Sequence, residues 1–479
     1  MSSVSTIFAH KYSNFCIRSI PNCIDGLKPS NRKILYGAFK RNLTSEIKVA
    51  QLAGYISEVS SYHHGEVSLQ GAIIKMAQDY TGSNNVNLLE PIGQFGTRLL
   101  GGNDHASPRY IFTKLSPLAR LIFPKDDDIL LNYLEDDGRS IEPSNYCPII
   151  PLLLVNGAQG IGSGWSTSIP SYCPLKVCAH IRAKLDEYDE PGKVISIAPL
   201  EPYVRGFKGE ILSREDGQGF ITRGLAKRVS KTMVEITELP VGMWTGKYKN
   251  YLMKKQAKGK ISSFSENHTT TDVSFKIRMS ASMLEKAEKY DLVKSFGLEN
   301  NILTTNMHAF DSAKVIKKYQ SVENILDDYF PVRLNLYQQR KKLSLNFLEY
   351  KNSLLSNKAT FIEMVADGKL DFVLGSVKTK QYTLDKLRQY GFDELSVLKK
   401  KQDIYLSINE SISSLEEYDY LLNMPLSSFT AEKVARLQVE ASEAQRELME
   451  LQSMTITNLW RKDLDKLEDF LNSNWVKSE

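Results

Sequence analysis

No stretch of about 18 consecutive apolar residues occurs in this chain, so no helix is expected to cross a membrane. The first residues, Met1-Ser2-Ser3-Val4-Ser5-Thr6, lack a basic start followed by an apolar core, which excludes a recognisable secretory signal. Cysteine is scarce. Cys16, Cys23, Cys147, Cys173 and Cys178 are odd in number and show no CxxC spacing, which argues against a disulfide frame or a zinc site. They read as reduced thiols of an intracellular protein. No GxxxxGK and no GxGxxG is present, so the chain shows no nucleotide-binding loop. Neither sign of charge dominates. A net charge of +5 permits a polyanionic partner without requiring one.

A chain of 479 residues has length for about two to four domains. Asp25-Gly26-Leu27-Lys28-Pro29-Ser30 is a turn, and Asn31 to Phe39 reads as a helix with Ile34, Leu35 and Ala38 on one face. Its flanking Arg32, Lys33, Lys40 and Arg41 suit a phosphate backbone, although a solvated face is the plainer account of this helix taken alone. Further helices are expected over 46–55 and 68–80, the latter burying Leu69, Ile73, Met76 and Ala77. Between them stands Tyr62-His63-His64-Gly65-Glu66. Adjacent histidines face different ways in any regular element, so one is expected to look into a site or groove, against the alternative of a satisfied structural pair.

Gln94-Phe95-Gly96-Thr97-Arg98 and Gly101-Gly102-Asn103-Asp104 then lead into Ser107-Pro108-Arg109-Tyr110-Ile111. Pro148 to Val155 is expected as a buried strand, followed by a glycine-rich loop from Asn156 to Trp165. Ile161, flanked by glycines, fits a wedge between base pairs or a plug of a local core. Residues 171–320 alternate as an α+β region, with a cluster of lysines and tyrosines over 247–260 that is either a phosphate patch or a solvated helix face. From about 321 the helical period takes over. Ile325 to Leu354 and Val434 to Leu451 both match a coiled-coil seam, with Thr430 as N-cap of the second. Two such helices separated in sequence suggest an antiparallel hairpin arm with a small helical head, a natural dimer contact; helical core within one chain is the plain alternative.

These stretches together resemble the DNA breakage-reunion part of eukaryotic-type DNA topoisomerase II, a type IIA topoisomerase. The resemblance rests on Arg18-Ser19-Ile20-Pro21, Asp25-Gly26-Leu27-Lys28-Pro29, Lys48-Val49-Ala50-Gln51-Leu52-Ala53-Gly54, the Tyr62, Gln94 and Ser107 stretches above, Asn156-Gly157-Ala158-Gln159-Gly160-Ile161-Gly162, and Glu238-Leu239-Pro240 with Trp244-Thr245. It implies an α+β multidomain fold. After an extension over 1–17 come a winged-helix domain over 18–165, an α/β tower over 166–322, and over 323–479 a long antiparallel coiled coil ending in an exit gate. By motif position Tyr110 resembles the tyrosine that attacks a phosphodiester and keeps the 5′ end, and Arg109 the residue that stabilises the transition state. His63 and His64 resemble site histidines. Arg18, Lys28, Arg32, Lys33, Tyr62, Gln94, Arg98 and Trp244 are expected DNA contacts, and Ile161 the intercalating isoleucine.

A free tyrosine ionises near pH 10 and needs help as a nucleophile at neutral pH. A forked arginine suits the free oxygens of a phosphoryl transition state. The resemblance also implies double-stranded DNA as partner, a homodimer closed through the exit gate, and action in the nucleus. The family's ATPase region and Toprim domain precede the winged helix and are not seen in these residues. Mg²⁺ is accordingly expected from a Toprim domain, and ATP from an ATPase domain, of another chain or portion, with no metal ligand here. Gly242 stands where the family usually has an arginine. A truncated, DNA-binding, dimerising protein without cleavage of its own is the alternative.

Overall fold

The computed structural model describes residues 17–192, 195–370, 380–401, 417–425 and 428–474. All of the expected N-terminal extension but Ile17, and Cys16 with it, lies outside them. The chain forms two compact units. One comprises the residues up to Leu334 together with those from Trp460 onward, and the other comprises Asn335–Leu459.

The first unit begins with three helices, α1 (Pro29–Lys40), α2 (Val49–Val59) and α3 (Glu66–Ala77), packed on one another. Pro29 opens α1, where its missing N–H costs nothing. Ile34, Leu35 and Ala38 are buried on the expected face, as are Leu69, Ile73, Met76 and Ala77 of α3. Each large apolar side chain so buried contributes about 1.5–3 kcal/mol. Helix α2 starts three residues later than its apolar period suggests, because Ile47–Lys48 (β1) is drawn into pairing with Phe112–Thr113 (β2). Gly26 is obligatory in the turn before α1. Its φ is +67°, and a Cβ there would stand 2.4 Å from the Leu153 nitrogen.

Downstream come α4 (Pro117–Ile122) and a two-stranded hairpin, β3 (Tyr133–Asp136) with β4 (Arg139–Pro143). Two expectations then need correction. Pro148 to Val155 is buried, but its second half is a short helix, α5 (Leu152–Asn156), since a brief apolar run has no period that separates strand from helix. Asn156 to Trp165 is not a loop. Ala158–Ile161 (β5) pairs with Ser166–Ile169 (β6) in an antiparallel hairpin closed by Gly162 N–H donating to the Trp165 carbonyl over 2.7 Å. Gly160 serves close approach rather than flexibility, as a Cβ there would lie 2.0 Å from the Ser19 carbonyl oxygen.

After α6 (Pro174–Asp189), strands β7 (Glu210–Ser213), β8 (Gly219–Arg223), β9 (Leu225–Ser230) and β10 (Met233–Glu238) begin the expected α+β region. Helix α7 (Thr245–Ala257), strands β11 (Ser263–Glu266) and β12 (Phe275–Arg278), helices α8 (Ala281–Tyr290) and α9 (Leu292–Ser295), and strand β13 (Glu299–Leu303) complete it. The four-stranded sheet runs β11-β12-β10-β9 and the three-stranded one β13-β8-β7. Val234 faces Ile277 and Ile236 faces Phe275, and these join Tyr248 and Leu252 of α7 in one core. Strands β14 (Met307–Phe310) and β15 (Ile316–Tyr319) pair with each other, and β14 lies against the β5–β6 hairpin.

The arm is helical as expected. Helix α10 (Val322–Ala366) carries Pro331 in its interior, and α14 (Ala431–Ser453) is capped by Thr430, whose hydroxyl accepts from the Lys433 N–H. Within the second unit Lys341 meets the Met454 carbonyl, Asn352 meets Gln445, and Gln438 meets Glu363, so the two helices run antiparallel. Phe347, placed on the seam by its spacing, is exposed. The small head over the described part of 367–425 holds α11 (Lys380–Gln389), α12 (Leu395–Lys401) and α13 (Asp419–Leu422), with Leu387, Phe392, Tyr418 and Leu421 packed on Phe361. A third helix, α15 (Ile456–Asn474), is not distinguished by the sequence pattern. It buries Trp460, Leu464, Leu467 and Leu471 in the first unit, where the Trp460 indole donates to the Ile149 carbonyl over 2.9 Å.

Candidate functional site

Tyr110 sits on a tight turn, its N–H donating to the Ser107 carbonyl over 2.9 Å. The turn is held by the start of α2. The Ala50 N–H donates to the Pro108 carbonyl over 3.1 Å, and the Val49 N–H to the Ile111 carbonyl over 3.0 Å. First-turn amides of a helix have no partner within it, so α2 is available to grip this turn. On the far side Phe112 enters β2 and bridges to Ile92. Ile111 is buried beneath, while Tyr110 is 75% exposed and Arg109 is exposed beside it. An apolar anchor thus presents a phenol and a guanidinium outward on a backbone fixed at both ends.

His63 and His64 leave the other end of α2. Eleven residues of helix separate the two ends by about 16 Å. His63 is exposed with Nε2 3.5 Å from a carboxylate oxygen of Asp136. The His64 ring meets Tyr62 edge-on at 5.6 Å. Partial burial, and then the charges of Arg18, His63 and Lys33, hold His64 below its ordinary value of 6.5, so it stays neutral at pH 7. Tyr62 is half-buried, and its hydroxyl lies 3.4 Å from that of Ser68.

The expected DNA contacts divide by burial. Arg18 and Gln94 are exposed, and Ile161 is 84% exposed on the last residue of β5, which rules out a plug of a local core. Lys28 is half-buried, its ammonium 2.7 Å from the Gln159 carbonyl. Arg32, Lys33 and Arg98 each have an acidic partner within the fold. Arg32 is buried and grips Asp25 with Nε at 2.7 Å and Nη2 at 3.1 Å. Lys33 reaches Glu142 at 2.8 Å and the Ser60 carbonyl. Arg98 is buried against Glu238 at 2.6 Å. A cation in a motif looks the same whether its partner is a phosphate or a carboxylate 140 residues away. Trp244 is half-buried, lies edge-on to Tyr80 at 5.9 Å, and covers Gly101, where a Cβ would stand 2.4 Å from the ring. Gly242 adopts φ +82° in an exposed turn.

The lysines over 247–260 lie mainly along α7, where Lys249 pairs with Glu266. Asp127 is buried against Arg333 at 2.6 Å and Asp128 is held by Arg120, so these two acids are structural. Cys23, Cys147, Cys173 and Cys178 are free thiols. Among the described residues no three His, Cys, Asp or Glu side chains converge as metal ligands. One cation was missed in the sequence. Lys75 lies on α3 and opens into a groove shared with Arg18 and Lys28. A lone lysine beside a buried stripe carries no signal until the neighbouring hairpin is in place.

Residues 18–465 match the family model of the A subunit of DNA gyrase/topoisomerase IV. The chain is 42% identical over 476 residues to DNA topoisomerase 2 of Arabidopsis thaliana, covering 94% of this chain and 32% of that protein. It is likewise 42% identical over 466 residues to DNA topoisomerase 2-alpha of Cricetulus griseus, covering 93% of this chain and 30% of that protein. The chain thus spans about a third of the length of these curated relatives. The crystal structure of the Plasmodium falciparum topoisomerase II DNA-binding, cleavage and re-ligation domain is similar with a TM-score of 0.84 and 39% identity, over 99% of this chain and 65% of that one. The chain belongs to the family of DNA gyrase/topoisomerase IV A subunits.

Proposed function

We propose that this chain carries the DNA strand breakage and rejoining part of a type II topoisomerase. Tyr110 Oη attacks a backbone phosphorus and a bond forms between them. The bond to the 3′ oxygen breaks, the phenol loses its proton, and the 3′ oxygen gains one. The 5′ end stays on the protein as a phosphotyrosine, and the reverse step reseals the strand. One such break in each strand of a gate duplex lets a second duplex pass. The observation that carries this reading is Tyr110 exposed beside Arg109 on a turn clamped by the first amides of α2. Holding a nucleophile in place ahead of reaction is worth several kcal/mol of barrier. Arg109 supplies a permanent charge for the phosphoryl oxygens.

In this reading His63, His64, Tyr62, Arg18, Lys28 and Gln94 face the phosphate backbone, and Ile161 is the wedge that bends the gate duplex. Residues 18–165 hold the tyrosine, 166–322 flank the duplex, and the arm and head over 323–479 meet a second copy of the chain. Mg²⁺ and ATP enter through Toprim and ATPase residues other than these, and the place of action is the nucleus.

The test mixes the full chain with supercoiled DNA, Mg²⁺ and an ATPase–Toprim portion of a type II topoisomerase. A covalent protein–DNA adduct is expected, and Tyr110→Phe abolishes it. An adduct from the phenylalanine variant would overturn the role of Tyr110. Duplex binding without any adduct would favour a protein that binds and dimerises without cutting.

A further inference from the structure

Helix α3, the start of α1 and the base of the β5–β6 hairpin enclose an open groove of about 550 Å³. Arg18, Lys28 and Lys75 line it, and no Asp or Glu does. Burial, and after it the charge of Lys75, hold the Lys28 ammonium below its ordinary value, so the two cations feel one another across the groove. The polar side chains around them are Ser30, Asn31, Ser68, Asn84, Asn156 and Gln159, of which Asn84 and Asn156 already donate to backbone carbonyls. Gly71 and Gly157 keep the walls low.

We propose that Lys75 is a phosphate-holding residue of the gate-DNA surface, clamping one backbone phosphate of the duplex between its ammonium and that of Lys28. This rests on the reading that the chain binds a DNA duplex. A phosphodiester placed there exchanges a repulsion for two charge-assisted contacts and releases counterions from the DNA. It also braces the hairpin. Lys28 is tied to the Gln159 carbonyl, two residues before Ile161, so a seated phosphate steadies the strand that carries the wedge. Helix α3 thus supplies a positioning contact from the face opposite its buried stripe.

The experiment measures binding of the full chain to a short DNA duplex by fluorescence anisotropy between about 50 and about 200 mM salt. Lys75→Met is expected to make the slope of log affinity against log salt shallower by about one, and to weaken binding about three- to tenfold at the middle of that range. Lys75→Arg restores most of both. Lys75→Met with the slope and affinity of the parent chain overturns this proposal and leaves Tyr110 untouched. Failure of the parent chain to bind a duplex at all overturns both this proposal and the reading it rests on.

Discussion

The amide of Ala50 donates to the carbonyl of Pro108 over 3.1 Å, and this one bond ties the start of a core helix to the residue two before Tyr110. A helix start has amides to spare, and here they grip the turn that presents the phenol. The neighbouring Val49 bond to Ile111 closes the other side of the turn. The tyrosine is thus placed by these backbone bonds and the buried Ile111, while its side chain is left exposed.

Arg32 tests the division between fold and surface. It and Asp25 are both buried, and Asp25 also accepts from the amides of Leu27 and Tyr146. Arg32→Leu strands a buried carboxylate, so about 3–5 kcal/mol of stability should be lost, seen as a lower midpoint in denaturant. A DNA contact would instead weaken duplex binding at unchanged stability.

Ile161 should behave in the opposite way. Being exposed, it can be changed to Ser with a stability change within about 0.5 kcal/mol. Bending of a gate duplex, read by energy transfer between dyes at its two ends, should fall. Undiminished bending would remove the wedge role.

His64 predicts a pH dependence. Its folded value is depressed below 6.5, so the unfolded chain binds the proton more readily. Stability is therefore full above about pH 6.5 and declines as pH falls below it. Thermal midpoints of the parent and His64→Gln chains, compared from pH 7.5 down to about pH 5.5, should converge on a shallower slope for the variant. Parallel profiles would refute the shift.

The thiols give a chemical check. Burial pushes Cys23 and Cys147 up to about 12, and raises Cys178 as well. Of the four described cysteines only Cys173, partly exposed, should alkylate in the native protein at pH 8, with the other three reacting after denaturation. Mass mapping of labelled peptides decides it.

Much was legible along the chain because it is local. Pro29, Ile34, Leu35 and Ala38 announce α1, Thr430 announces the start of α14, and Val234 and Ile236 announce a strand by their period of two. The arm was legible for the same reason, since Leu437, Ala444 and Leu448 repeat with the helix and are buried. What failed was short or glycine-marked. Leu152 to Val155 carries too few residues to show a period, and Gly160 reads as flexibility although it serves contact with Ser19.

The roles of charges were the least legible. Arg32, Lys33 and Arg98 stand in motifs that suit phosphate, and the fold turns them toward Asp25, Glu142 and Glu238. Lys75 shows the reverse case, unmarked in sequence and open to a groove without carboxylates. By itself the sequence determined most of the order of helices and strands and the family, because period and motif are properties of neighbours along the chain. Only the tertiary structure decided which cations face outward, since a charge finds its partner through space, and these partners lie as far as 140 residues away.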